Sequence, residues 1–146
     1  MLGDPSGAVA LDAFAGSGAL GLEALSRGAA RAVFCETSAA ALRALRENIA
    51  RLGVADRVEV SRADARRRMA ADAAAGAAYD LILLDPPYRM LAALQEPFSL
   101  HLPALLAPGG VVVVESSSAQ GPLDLPLGRV ASRTYGDVRL TLYRHA

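Results

Sequence analysis

The sequence predicts an α/β fold: a Rossmann-like, mostly parallel seven-stranded sheet with helices on both faces and a C-terminal antiparallel hairpin. Three observations predict it. Short apolar runs alternate with helical segments from residue 8 to residue 115, the pattern of β-α-β units in a sheet covered on both sides. A glycine-rich loop, Gly16-Ser17-Gly18-Ala19-Leu20-Gly21, joins the first apolar run to the first helical one. Two final runs, joined by Tyr135-Gly136-Asp137, close the chain as a hairpin.

In order, residues 8–12 form a short apolar strand, and a helix from about 19 to 27 stops at Gly28. Residues 32–36 are the second strand. Ser38 is the expected N-cap of a long helix that ends near residue 52 against Gly53. Residues 58–61 alternate as a third strand, and the Ala/Arg-rich stretch 65–75 reads as a helix. The run 79–84 is a buried strand leading into Asp85. A helix over 91–106 is expected to stop at Pro108-Gly109-Gly110, before a fifth strand at 111–115. Strands at 128–134 and 138–143 make the hairpin.

With 146 residues and 53% hydrophobic composition, the chain can bury a core and is not disordered. No linker, repeat or low-complexity segment divides it, so one domain over residues 1–146 is expected. No apolar run approaches the roughly 20 residues of a membrane span, and no signal-peptide pattern is visible. A membrane role is therefore not expected. One cysteine, Cys35, cannot form an internal disulfide and reads as core, which makes a cytoplasmic protein the default. The two histidines, His101 and His145, have no partner at metal-ligand spacing, so no metal is expected. The 15 basic residues, all arginine, balance 15 acidic ones. That neutrality argues mildly against a chain that grips nucleic acid by charge alone.

Chemistry concentrates in two places. Asp85-Pro86-Pro87-Tyr88 follows the fourth strand. The two prolines stiffen the backbone and remove N–H donors. They leave a carboxylate, free carbonyls and an aromatic ring, a set suited to a planar amine and the ring that carries it. The first loop is the second place. Its G-x-G-x-x-G, with Glu36 twenty residues after Gly16, satisfies the spacing of a dinucleotide site. An NAD or FAD enzyme must therefore be weighed. Against it, Asp12 sits where a pyrophosphate would lie, and two like charges at about 4 Å cost several kcal/mol at intermediate dielectric. The chain also offers no second nucleotide half. S-adenosylmethionine (SAM), with an ammonium, a sulfonium and no phosphate, meets both objections. Asp12 would attract the ammonium, Glu36 would accept the ribose hydroxyls, and Asp64, after the third strand, would accept from the adenine amine. A tight turn for the glycines and solvated caps for Glu36 and Asp64 are the structural alternatives.

The block Asp-Ala-Phe-Ala-Gly-Ser-Gly-Ala-Leu-Gly-Leu-Glu-Ala-Leu-Ser-Arg-Gly-Ala at 12–29 resembles the RsmD family of class I SAM-dependent methyltransferases. That family methylates a guanine N2 in 16S ribosomal RNA of the small subunit. Asp64-Ala65, Asp85-Pro86-Pro87-Tyr88, Asn48 and the Tyr135-Gly136-Asp137 hairpin fit as well. The resemblance implies a cofactor set of Asp12, Phe14, Ala15, Gly16, Ser17, Gly18, Glu36, Thr37, Asp64, Ala65 and Asp85. It implies a catalytic set of Asp85, Pro86, Pro87 and Tyr88. Asp85 and the Pro86 carbonyl would accept the amine protons while Tyr88 stacks on the base. The partner implied is ribosomal RNA or a small-subunit assembly, met by a monomer. Asp-Pro-Pro-Tyr is shared with adenine-N6 enzymes, which keeps that substrate open. The family also carries a basic segment with an Arg-Pro-Thr motif before the first strand. Residues 1–7 stand there instead, so a SAM-binding domain with impaired RNA docking is a further reading. Arg66-Arg67-Arg68 reads either as a solvated helix face or as a phosphate contact, and Glu115 as a structural strand end.

Overall fold

The computed structural model describes residues 3–146. Met1 and Leu2, at the start of the short segment before the first strand, lie outside the described residues. The chain runs β1 (Val9–Asp12), α1 (Ala19–Ser26), β2 (Arg31–Cys35), α2 (Ala39–Leu52), β3 (Val58–Ser61), α3 (Ala65–Ala75), β4 (Tyr79–Leu84), α4 (Leu91–Leu105), β5 (Leu106–Ser117), β6 (Gly128–Tyr135) and β7 (Val138–Arg144). The strands form one sheet in the order β3-β2-β1-β4-β5-β7-β6. The first five are parallel, and β7 inserts antiparallel between β5 and β6. The predicted fold class holds, including the hairpin.

Strands that are buried on both faces must be apolar throughout, and the central ones are. Leu11, Val33, Ile82, Leu84, Val112 and Val114 face one core layer together with Phe98, Leu102 and Leu105 of α4 and Met69 of α3. Ala10, Ala32, Phe34, Leu81, Leu83 and Val113 face the other, against Leu22 and Leu25 of α1 and Leu42, Leu45 and Ile49 of α2. The small residues Ala10 and Ala32 let α1 lie close to the sheet. The caps follow the sequence. Ser38 Oγ accepts from the Ala41 N–H at 3.3 Å, and Gly53 closes α2 at φ 67.

One boundary differs from expectation. α4 ends at Leu105 and β5 starts at once, so Pro108-Gly109-Gly110 lies inside the strand rather than between helix and strand. The ladder slips here: Tyr79 pairs with Leu106 and Leu81 with Val111. The extra residues bulge out through Gly109, at φ 78. Gly110 permits the return, because a Cβ there would stand 2.9 Å from the Ala107 carbonyl and 3.1 Å from that of Asp80. Proline and paired glycines ordinarily break an element; here the ladder on both sides of them holds the strand together.

β1 lies between β2 and β4, and the chain's crossovers leave it in opposite directions. Such a switch point opens a crevice beyond the carboxyl ends of the strands.

Candidate active site

The loop after β1 forms the floor of this crevice. Its backbone is tied to both neighbours: the Ala13 N–H donates to the Leu83 carbonyl at 3.2 Å, and the Ala15 N–H to that of Cys35 at 2.9 Å. Phe14 packs edge-on against Phe98 of α4, with ring centroids 6.3 Å apart. Asn48 of α2 donates its amide to the Ser17 carbonyl at 3.0 Å. Two glycines are required by packing. A Cβ on Gly18, at φ 90, would lie 2.3 Å from Leu45 Cδ1, and one on Gly21 would lie 2.4 Å from the Phe34 ring.

Asp12 ends β1 with 1% of its surface exposed. Its Oδ2 accepts the N–H of Gly21 at 3.0 Å, which caps the first turn of α1. Its Oδ1 has no partner among the described residues. Burial pushes the carboxyl up to about 7, against the Gly21 bond, and the charges of Asp85 and Glu36 add to the rise. Asp12, expected beside the place a pyrophosphate would take, is not on the cleft surface. It lies beneath the loop, because the close approach of α1 to β1 encloses it.

Glu36 follows β2 and binds three backbone amides. Oε1 accepts from Gly16 at 2.8 Å, while Oε2 accepts from Thr37 and Ser38 at 2.8 Å each. A carboxylate has about four acceptor sites, so both oxygens retain capacity for hydroxyl donors. Asp64 is the N-cap of α3. It accepts from the Arg66 N–H at 2.9 Å and pairs with the Arg66 guanidinium. That side-chain hydrogen bond, ahead of the backbone one, holds its carboxyl below the usual range.

β4 delivers the far wall. After Leu84 comes half-buried Asp85, buried Pro86, and then Pro87 and Tyr88 in the open. Pro87 leads into a 3-10 turn, Tyr88–Met90, closed by the Met90 N–H on the Pro87 carbonyl at 2.9 Å. Tyr88 is 38% exposed. Its hydroxyl is pushed up by desolvation and by the negative charges of Glu115, Asp85 and Asp137. Glu115, expected to be structural, hydrogen-bonds the Asp85 carboxyl, and that bond, burial and the Asp85 charge raise it to about 7. No sequence spacing signals this contact, since it arises from the pairing of β4 with β5.

These pieces enclose one cleft of about 750 Å³. Phe14, Ala15, Gly16, Ser17, Glu36, Thr37, Asp64, Ala65, Asp85, Pro86, Pro87 and Tyr88 all line it. Asp12 and Gly18 do not; they support the loop from behind. Leu20 of the glycine-rich loop also lines it, as do Ala63, Arg89 and Met90, which no motif in the sequence marks. The volume suits a nucleoside-sized ligand.

The profile of a family described as conserved hypothetical protein 95 matches residues 3–144. The chain belongs to this family. It is the RsmD-type family that the first-loop block resembles. The chain is 37% identical over 137 residues to the ribosomal RNA small subunit methyltransferase D of Escherichia coli K12, covering 86% of this chain and 66% of that protein. It is 40% identical over 79 residues to YlbH of Bacillus subtilis 168, covering 54% of this chain and 43% of that one. The chain therefore spans less than two thirds of each curated relative. A solved structure of a conserved hypothetical protein from Streptococcus pyogenes superposes with a TM-score of 0.82 at 29% identity, over 97% of this chain and 88% of that one.

Within this RsmD-type site the donor set fits SAM better than a dinucleotide. α1 points its N-terminus toward the cleft floor, where a pyrophosphate would ordinarily bind. There the protein's own Asp12 already occupies the Gly21 amide. Glu36, Asp64 and Asp85 make the lining acidic, with Arg89 the only basic lining residue among those described. A cationic ligand matches that field and a diphosphate opposes it.

Other expectations resolve as follows. Arg68 is not a solvated face: it pairs with Glu59 and with Asp72, whose carboxylate also accepts the Tyr79 hydroxyl at 2.5 Å. Arg66 is paired with Asp64, so of the three arginines Arg67 alone has no ion pair among the described residues. Cys35 is buried, and burial raises its thiol to about 11, as a core residue requires. No cluster of metal-binding side chains occurs among the described residues, and none of their helices is long and apolar enough to cross a membrane.

Proposed function

We propose that the chain transfers a methyl group from SAM to the exocyclic N2 amine of a guanine in small-subunit ribosomal RNA. The observation that carries the reading is that Asp85-Pro86-Pro87-Tyr88 opens into the same cleft as the Glu36-clamped glycine loop. An amine-binding wall and a nucleoside-binding floor thus face one another. The relatives' names support ribosomal RNA as the substrate class. The resemblance of the first-loop block supports guanine.

When bound, SAM supplies an electrophilic methyl on a sulfonium. The chain's residues then have to position and neutralise. Glu36, preset by three amides, accepts the ribose hydroxyls, and Thr37 borders the same pocket. Phe14, Ala15, Gly16 and Ser17 floor the site, while Asp64 and Ala65 border the adenine end. Asp12 and Gly18 keep the loop in shape. On the substrate side, an aryl amine is a weak nucleophile because its lone pair is delocalised. Asp85 and the Pro86 carbonyl, by accepting its protons, favour a pyramidal nitrogen and offset the positive charge that develops. Pro87 holds Tyr88 against the base, which must leave any stack or pair to reach it. Holding the two reactants in line supplies most of the remaining acceleration.

The test is to incubate the protein with labelled SAM and small-subunit RNA or particles, then digest and identify the nucleoside. N2-methylguanosine is expected. N6-methyladenosine would move the substrate to adenine, and SAM binding without transfer would leave a cofactor-binding domain.

A further inference from the structure

We propose that Glu115 is a positioning residue for Asp85: their two carboxyls share one proton, which aims the Asp85 carboxylate at the substrate amine. The proposal rests on the methyltransferase reading above. β4 and β5 run parallel with Leu84 opposite Val114. The next residue on each strand is therefore Asp85 and Glu115, side by side where the ladder ends and both on the same face of the sheet. Asp85 is the leading cause of the rise in the Glu115 carboxyl, which places the two carboxyls within reach of one another. Two ionised carboxylates cannot hold that contact, so one proton is retained between them. That proton is assigned to Glu115, whose carboxyl is raised by Asp85 and by burial, so that its O–H donates to Asp85.

Glu115 has no ion pair among the described residues. Asp85 follows the end of β4, and the negative charges of Glu115, Asp85 and Asp137 all act on the Tyr88 hydroxyl. Across the β7 ladder Glu115 pairs with Leu140. The guanidinium of neighbouring Arg139 donates to the Gln120 and Ser118 carbonyls and the Ser132 hydroxyl.

The pair then carries a single negative charge into the reaction. The amine nitrogen bonds to the methyl carbon as the carbon–sulfur bond breaks, and its electron pair stays on sulfur. The nitrogen's surplus proton passes to Asp85, which leaves the pair neutral until water takes the proton away. Above the Glu115 pKa the shared proton is lost, and with it the contact that aims Asp85. The wild-type rate should therefore be highest below about pH 7 and fall above it.

Two measurements test this on the full chain. In cofactor-free protein carrying ¹³C-labelled glutamate carboxyls, Glu115 should titrate near 7 and drop toward the ordinary carboxylate range in Asp85→Asn. In single-turnover methylation, Glu115→Ala should slow transfer by roughly tenfold to a hundredfold with SAM affinity unchanged. Glu115→Gln, whose amide can donate to Asp85 at any pH, should recover part of that loss and flatten the alkaline decline. A Glu115 titration indifferent to Asp85→Asn overturns the shared proton. An active wild type with an equally fast Glu115→Ala overturns the positioning role alone. No methyl transfer by the wild type sinks the proposed function and the role together.

Discussion

The Asp12 carboxyl accepts the Gly21 N–H across 3.0 Å, so the acceptor at the N-terminus of α1 is one the protein supplies itself. This contact ties the glycine loop to the end of β1. It also places a carboxyl in the core with an ordinary value of 3.8 raised to about 7. Between those values the folded chain binds a proton that the unfolded chain has released, so this group makes stability fall as pH rises. Asp12→Asn keeps an oxygen for Gly21 without the buried charge. Urea unfolding should show the variant gaining on wild type from about pH 4 to pH 8, by a ceiling of roughly 4 kcal/mol. A constant difference across that range would mean Asp12 stays ionised.

The three loop glycines should separate by packing. Gly16→Ala meets open space and carries mainly the strain of a positive φ, about 1 kcal/mol. Gly18→Ala and Gly21→Ala collide with Leu45 and Phe34 and should cost more, on the order of 2–3 kcal/mol. Denaturation midpoints rank them, and equal losses would contradict the contacts.

Glu36 clamps the loop and faces the cleft. Glu36→Ala should weaken SAM binding by about 1–3 kcal/mol in calorimetry, as expected for lost charge-assisted hydrogen bonds. NAD should not bind in either form. Unchanged SAM affinity would take Glu36 out of the site.

In the proposed reading Asp85 and Tyr88 serve the substrate. Asp85→Ala should leave SAM affinity within a few-fold while transfer collapses. Tyr88→Phe should be mild and Tyr88→Ala severe, with a stacking loss of roughly 1–3 kcal/mol. Equal loss in both tyrosine variants would assign the work to the hydroxyl.

Arg67 and Arg68 are neighbours with different fates. Arg68→Ala strands the buried Asp72 carboxylate and should destabilise by roughly 2–4 kcal/mol. Arg67→Ala should leave the unfolding midpoint within about 0.5 kcal/mol.

Local rules make much of this molecule legible in its sequence. Strand periods, the Ser38 and Gly53 caps and the Gly136 turn act over a few residues, so β3, α3 and β4 fall where the spacing puts them. The cleft is legible for a related reason: in a parallel sheet every strand delivers its last residue to the same edge, and Glu36, Asp64 and Asp85 each follow a strand. Tertiary structure alone decided what those residues touch. Strand order set Asp85 beside Glu115, thirty positions away in sequence. The close seat of α1 buried Asp12 and gave its carboxyl the Gly21 N–H as a partner. The ladder across β4 carried β5 through Pro108-Gly109-Gly110. Each of these depends on contacts between distant segments, whose energies no local pattern encodes.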